Sequence, residues 1–278
     1  MLRRILLAID NSTSSQNAQR LALELAVSHA ASIRGLAITD SARYTVLAPS
    51  FARGGLPDNV GIQAELAAAR RGTDEAIEEF GELASASAVD YSVSKRDGSP
   101  DEIMEEEAAF HDLIVIGRDA YQHFYDSYSP SSTANVLVHD SPRPILVASD
   151  VTTSLSRIIV AFDGSIPASR SLHLLCLLRL HVGRKLQVLA VCKTREAAQR
   201  IASPASALLA AHGATDIENL LVESEMHPAD ILMNQAQAWS AGGIVMGAYG
   251  HRRLRDQFLG STTQRLIWNS PVALFLHS

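Results

Sequence analysis

The residues with the clearest chemical potential are glycines and hydroxyl side chains near the end of the chain. Two residues separate Gly247 from Gly250, and nine more separate Gly250 from Gly260, Ser261 and Thr262. Glycine lets the backbone approach a ligand closely. Unpaired N–H groups at a helix amino end bind anions, and hydroxyls donate to phosphate oxygens. The spacing therefore predicts a phosphate-binding loop that leads into a helix, with Ser261 or Thr262 as its cap.

This loop follows an apolar run at 243–246, which places it at the carboxyl end of a strand. Open α/β sheets bind their ligands at that edge. Two well-known phosphate motifs are absent, because the segment has neither the Lys-Ser/Thr of a P-loop nor a G-x-G-x-x-G fingerprint. One alternative stays open, in which the glycines serve turns only and one hydroxyl is an ordinary helix cap.

The elements that must position this loop occur twice along the chain. Three apolar segments recur in the same order: RRILLAID at 3–10 and RIIVAFD at 157–163, DLIVIGR at 112–118 and GGIVMGA at 242–248, and SPRPILVAS at 141–149 and SPVALFLHS at 270–278. The first pair ends in Asp and precedes the polar start of a helix. The chain is therefore predicted to be a tandem repeat with domains at 1–150 and 155–278.

Each half alternates apolar strands with helices, which is typical of βαβ units around a parallel sheet that is buried on both faces. Strands are predicted near 3–9, 33–38, 90–95, 112–117 and 144–148, and near 157–162, 186–192, 218–223, 243–247 and 272–277. Helices are predicted near 15–29, 59–85, 100–110 and 131–139, and near 166–180, 195–212, 228–240 and 261–269. The predicted class is α/β, with two doubly wound, five-stranded, mostly parallel sheets.

The two halves differ in length between matching landmarks. The spacing from Asp10 to Gly117 exceeds that from Asp163 to Gly247 by about two dozen residues. The extra residues are predicted to form the stretch 41–58, which contains Gly and Pro, and a longer helix after it. A plain surface loop is favoured over a lid for this stretch.

The pattern G-x2-G-x9-G-(S/T) resembles the ATP-binding signature of the universal stress protein family. The tandem repeat, the Asp that closes each first strand and the terminal strand after Ser-Pro or Arg-Pro resemble that family as well. The resemblance covers nearly the whole chain, apart from the extra segment. It implies an adenine nucleotide alpha hydrolase-like fold, halves packed as an intramolecular pseudo-dimer, and ATP as the ligand. ADP or AMP remains an alternative, and Mg²⁺ can accompany the phosphates.

The resemblance also implies roles for individual residues. Asp163 would accept hydrogen bonds from the adenosine, Ala161 would line the base pocket and Val191 would offer its backbone to adenine. The phosphates would be held by Gly247, Gly250, Gly260, Ser261 and Thr262. Two alternatives remain open, in which Asp163 caps the following helix and Val191 is ordinary strand core.

The first half departs from this pattern. Ala120 stands where the second half has Gly250, and Pro130 stands where it has Gly260. Proline has no N–H and a fixed φ, so it cannot offer the donor-bearing backbone of glycine. The same loop contains four bulky residues, Tyr121, His123, Phe124 and Tyr125. The first half is therefore predicted to bind a triphosphate poorly or not at all, and a diphosphate or another adenosine derivative remains an alternative there.

Composition limits the partners. The net charge is −6, and the one local basic cluster in the sequence, Arg252, Arg253 and Arg255, is followed directly by Asp256, so no nucleic acid partner is predicted. The longest apolar stretch, residues 172–180, is too short to span a bilayer, and Cys176 and Cys192 lack metal-ligand spacing. A cytoplasmic protein that does not bind membranes is predicted.

The predicted function is that of a stress-response regulator or sensor that binds an adenine nucleotide in its second half. It would be a homodimer of the tandem chain or a pseudo-dimeric monomer, with an unidentified protein partner. One alternative is a slow ATP hydrolase or phosphotransferase, although no general base or arginine clamp is evident near the loop. A second alternative is a dimerisation scaffold with an empty site.

Overall fold

The computed structural model describes residues 1–42, 59–121, 132–248 and 260–278. Within them, strands and helices alternate through each half. The first half contains β1 (Arg4–Ile9), α1 (Thr13–His29), β2 (Ser32–Thr39), α2 (Asn59–Ala86), β3 (Tyr91–Asp97), α3 (Pro100–Ala108), β4 (Leu113–Gly117), α4 (Ser132–Asp140) and β5 (Ile145–Ala148). The second half contains β6 (Arg157–Ala161), α5 (Ile166–Leu177), β7 (Lys185–Cys192), α6 (Arg195–Ala211), β8 (Ile217–Glu223), α7 (Pro228–Ala238), β9 (Gly243–Gly247), α8 (Ser261–Asn269) and β10 (Ala273–His277). Every predicted element is present, with ends that agree to within two or three residues.

One continuous sheet runs through both halves in the order β3-β2-β1-β4-β5-β10-β9-β6-β7-β8. Strands within each half are parallel, and the halves join where β5 pairs antiparallel with β10. The predicted α/β class with mostly parallel, doubly wound strands is confirmed. The two predicted five-stranded sheets are the halves of this larger sheet.

Helices cover both faces of the sheet, and each face has its own apolar core. One core packs beneath α1, α2, α5 and α6, and the other beneath α3, α4, α7 and α8. The central strands are buried on both sides, as their continuous apolar sequences require.

Helix α5 ends at Leu177, three residues before its predicted end. Arg179 adopts a left-handed φ of 62°, and its N–H donates to the carbonyl of Cys176 (2.9 Å). The N–H of Leu180 donates to the carbonyl of Leu175 (3.0 Å). These two bonds form a Schellman motif, which closes the helix without the usual glycine.

The predicted longer helix of the first half is confirmed. Helix α2 has 28 residues, against 17 in α6 at the matching place. The other part of the extra length was predicted at 41–58, and 43–58 lie outside the described residues.

Candidate functional site

Three of the predicted site residues lie at the carboxyl ends of neighbouring strands. Ala161 is the last residue of β6, Val191 is next to last in β7, and Gly247 is the last residue of β9. Strand β6 pairs in parallel with both β7 and β9, and the chain reverses its winding direction at this point. Doubly wound sheets open a crevice for ligands at such a switch point.

The sequence leaves open the alternative that Val191 is ordinary strand core. Its side chain is partly buried and packs against the core, as does that of Ala161. Both side chains are partly exposed at the sheet edge. They can therefore form one wall of a crevice while remaining attached to the core.

Asp163 lies in the turn between β6 and α5, and it is exposed. Its Oδ1 accepts a hydrogen bond from the N–H of Ser165 (2.9 Å). Ser165 is the N-cap of α5, and its Oγ accepts from the N–H of Ala168 (3.2 Å). The alternative in which Asp163 caps this helix is therefore wrong. The carboxylate lies outside the helix, next to the end of β6.

Gly260 is the N-cap of α8. The prediction that Ser261 or Thr262 caps this helix is wrong, because these residues occupy its first two positions. Glycine has no side chain that could accept from the first-turn N–H groups, and no side-chain hydrogen bond caps the helix. Ser261 is exposed and Thr262 is half-buried. A helix end of this kind presents N–H donors and the positive end of its dipole to a ligand.

The glycines of the predicted loop have different structural roles. Gly260 has φ −55° and ψ 141°, which any residue can adopt, so its conformation does not require glycine. At Gly247, a Cβ atom would lie 2.4 Å from the backbone nitrogen of Ala168. Gly247 therefore lets the start of α5 approach β9, and Gly117 does the same for α1 in the first half. Gly250 lies outside the described residues.

Two contacts at this edge were not predicted from the sequence. The Oγ1 of Thr263 donates to the carbonyl of Ala248 (2.6 Å) and thereby fastens the start of α8 to the end of β9. His227 is the N-cap of α7, and its Nε2 lies 3.3 Å from the Oγ of Ser261. The only sequence signal for His227 is the proline after it, which indicates the start of a helix.

The matching edge of the first half is organised differently. Asp10 accepts from the N–H (3.0 Å) and the hydroxyl (2.6 Å) of Ser12 through Oδ1. Its Oδ2 accepts from the N–H of Tyr121 (2.6 Å). Both carboxylate oxygens of Asp10 are thus bonded within the chain. Ala120 is fully buried, whereas Pro130 lies outside the described residues.

Within the described residues, no group of three or more His, Cys, Asp or Glu side chains is placed to hold a metal ion. Among the helices of the same residues, none is long and apolar enough to cross a bilayer. Both cysteines are unpaired, and burial raises the pKa of the Cys176 thiol to about 11.

The doubly wound, mostly parallel sheet, with helix amino ends at its carboxyl edge, defines an α/β protein of the class that binds ligands at that edge. The model of the universal stress protein family matches residues 1–149 and again residues 155–276. The chain belongs to the universal stress protein family, and the predicted resemblance is confirmed.

Individual relatives are distant. A universal stress protein from Archaeoglobus fulgidus has a TM-score of 0.71 at 20% identity, over 99% of this chain and 98% of that one. Universal stress protein Slr1230 from Synechocystis is 23% identical over 58% of this chain, which spans about half (56%) of that curated relative. A further universal stress protein, solved in complex with cAMP, has a TM-score of 0.35 at 16% identity, over 54% of this chain and 98% of that one.

Proposed function

We propose that this chain is a regulatory protein that binds one adenine nucleotide in its second half. The observation that carries the proposal is the glycine-capped amino end of α8, at the same sheet edge as the partly exposed ends of β6 and β7. A helix amino end suits a polyanionic phosphate chain. ATP is the proposed ligand because the sequence from Gly247 to Thr262 resembles the family's ATP-binding signature. ADP and AMP are the alternatives, and Mg²⁺ would accompany the phosphates.

Each site residue has a proposed role. Asp163 accepts from the adenosine, Ala161 lines the base pocket and Val191 offers its main chain to adenine. The phosphates are held by Gly247, Gly250, Gly260, Ser261 and Thr262. Gly247 has, in addition, the packing role against α5 described above.

Regulation requires that the nucleotide bind two states of the protein with different affinity. We propose that it shifts such an equilibrium in a cytoplasmic stress response and so alters contacts with a protein partner. The β5–β10 pairing inside one chain supports a pseudo-dimeric monomer, and a homodimer of the tandem chain is the alternative.

Titration calorimetry with ATP, ADP and AMP tests the proposal. One nucleotide is expected per chain. A nucleotide at about 100 times its Kd should stabilise the folded state by about 2.7 kcal/mol, since only that state has the site. If none of the three nucleotides releases heat or raises the melting temperature, the proposal is wrong.

Matched aspartate variants assign binding to one half. Asp163→Asn keeps an oxygen for the N–H of Ser165 but removes the charge, and it is expected to weaken nucleotide binding. Asp10→Asn makes the same change in the first half and should leave the affinity unchanged. An equal loss in both variants would contradict an assignment to the second half.

Gly260→Val tests the phosphate end of the site. Valine tolerates the observed φ and ψ, so the variant should fold while its side chain obstructs the amino end of α8. We expect the nucleotide-dependent melting shift to disappear. Phosphate release from ATP by the wild type, well above that of this variant, would favour the hydrolase alternative.

A further inference from the structure

Tyr121 has an unusual backbone conformation. Its φ is 58°, a left-handed value that is costly for a bulky L-residue. The other non-glycine residues with positive φ in the described ranges lie directly behind helix ends, where this conformation is common: Ala30, Ala88, Arg179 and Ser240. Tyr121 instead follows the end of β4. The surrounding structure must therefore hold it there.

Both hydrogen-bond donors of Tyr121 are bonded, one to the residue that follows β1 and one to a carbonyl within β2. Its N–H donates to Oδ2 of Asp10 (2.6 Å) at the end of β1. Its hydroxyl donates to the carbonyl of Leu36 (2.8 Å) in β2. The side chain is buried, and burial together with the Asp10 charge raises the pKa of its hydroxyl well above the usual value. The residue is thus held by its backbone N–H and by its hydroxyl, and its ring lies within the core of this face of the sheet.

The two halves can be compared position by position at this edge. The strand pairs align Ile5 with Ile33 in the first half and Ile158 with Leu186 in the second. By this alignment, Ala8 and Ile38 correspond to Ala161 and Val191. Ala8 is 0% exposed and Ile38 is 5% exposed, whereas Ala161 and Val191 are both partly exposed. Tyr121 packs in the same core as Ala8 and Ile38.

We propose that Tyr121 is an internal ligand of the first half. Its ring fills the place that corresponds to the base pocket of the second half. Its N–H donates to the carboxylate of Asp10, the counterpart of Asp163. The comparison with the base pocket of the second half rests on the proposed function. The claim that the Tyr121 ring fills a ligand-sized pocket rests on the structure of the first half alone.

In this arrangement the first half has a counterpart of the proposed nucleotide site, and the Tyr121 ring already fills its base pocket. A changed loop alone, as in Ala120→Gly, would leave the ring in place. Removal of the ring should instead uncover an apolar pocket with one polar point, the carbonyl of Leu36, because the backbone N–H at this position still donates to Asp10. Such a pocket fits a small planar aromatic molecule with a hydroxyl group, and emptied apolar cavities do bind such molecules.

The test uses Tyr121→Gly in the full chain. Glycine accepts φ 58° without strain, so the variant keeps its backbone path and its N–H bond to Asp10. The probe is 4-methylphenol, which reproduces the lost side chain. We expect calorimetry to show it binding the variant at least tenfold more tightly than the wild type, and about fivefold more tightly than toluene, which lacks the hydroxyl. Equal affinity of 4-methylphenol for variant and wild type would overturn the proposal.

A second titration separates this proposal from the proposed function. Adenine should bind Tyr121→Gly at one site more than the wild type, because the base alone needs only the emptied ring pocket. An equal number of adenine sites in both proteins would overturn the equivalence of ring and base. The wild-type titration with ATP, ADP and AMP tests the proposed function by itself, and the 4-methylphenol result decides whether the ring fills a pocket whatever that titration gives.

A measurement on the wild type covers the case in which Tyr121→Gly does not fold. Tetranitromethane nitrates accessible tyrosines, and peptide mass mapping locates the product. Tyr121 should be at least tenfold slower to react in the folded protein than in the unfolded chain. Equal rates would overturn the proposal, because the ring would then not be enclosed.

Discussion

At the scale of single residues, the joint between the halves carries an unusual carboxyl group. Burial raises the pKa of Asp119 to about 6, and a hydrogen bond and repulsion with Asp150 add to this effect. Arg118 donates to Oδ2 of Asp150 (2.7 Å) and to the carbonyl of Trp268 in the second half (2.9 Å). Asp119 thus interacts with Asp150, and Asp150 is paired with Arg118, where the halves meet.

Asp119→Asn should stabilise the protein near pH 7. The pKa of Asp119 is higher in the folded state than in the unfolded chain, so folding is penalised once the carboxyl ionises. The penalty is complete above about pH 6 and is lost as the pH falls toward 4. Since the group is only half-buried, we expect a gain on the order of 1 kcal/mol at pH 7.5. Chemical denaturation at pH 7.5 and pH 4.5 measures it.

Asp90→Asn is the control for the loss of one negative charge, because Asp90 is exposed. Its effect on the free energy of unfolding should stay within about 0.5 kcal/mol at both pH values. If the gain from Asp119→Asn is as large at pH 4.5 as at pH 7.5, titration of Asp119 is not its cause.

At the scale of elements, serine N-caps position the turns at the site edge. Ser165 accepts from the N–H of Ala168 and also donates its own N–H to Asp163. Ser12 repeats this arrangement with Ser15 and Asp10. The caps therefore hold the helix starts and the two aspartates together.

Ser165→Ala should destabilise the protein by about 1 kcal/mol, because α5 loses its side-chain cap. Ser99 offers a matched control, since it is the N-cap of α3 but makes no side-chain cap bond. Ser99→Ala is expected to cost clearly less. Urea unfolding of both variants measures the difference, and equal losses would show that the Ser165 bond does not hold the helix start.

At the scale of the whole molecule, the antiparallel seam makes one sheet out of two halves. Phe275 lies opposite Leu146 in this seam, and both side chains are 3% exposed. The last strand of each half would otherwise present an unpaired apolar edge, which is prone to aggregation. The fused chain covers each of these edges with the other.

Phe275→Ala should destabilise the chain by about 3–5 kcal/mol, because it leaves a cavity in a packed core. Trp239 and Trp268 are both in the second half, so tryptophan fluorescence follows that half while far-UV circular dichroism follows both. The two signals should show one common midpoint in denaturant, and the variant should lower it for both. A shift in fluorescence alone would show that the halves unfold independently.

Val93→Ala is the matching control at the far edge of the sheet, where β3 has a neighbour on one side only. Val93 is partly exposed, so less apolar surface is lost than at Phe275. The expected cost is about 1 kcal/mol, without any separation of the two signals.

The sequence by itself determined the elements, their order and the tandem organisation. Apolar runs and helical periodicity are local features, so each strand and helix could be predicted to within a few residues. The positions of Asp163, Gly247 and Gly260 at strand and helix ends followed from the same local patterns. The family signature then predicted what this edge of the sheet would bind.

Only the tertiary structure decided which groups meet there. The antiparallel pairing of β5 with β10 and the contact between His227 and Ser261 join residues far apart in the chain, and no local pattern encodes such contacts. Tyr121 is the clearest case. The sequence shows only a bulky residue in a loop, whereas its burial depends on how β1 and β2 lie beside it, because the residue after β1 supplies the carboxylate and β2 supplies the carbonyl that hold it.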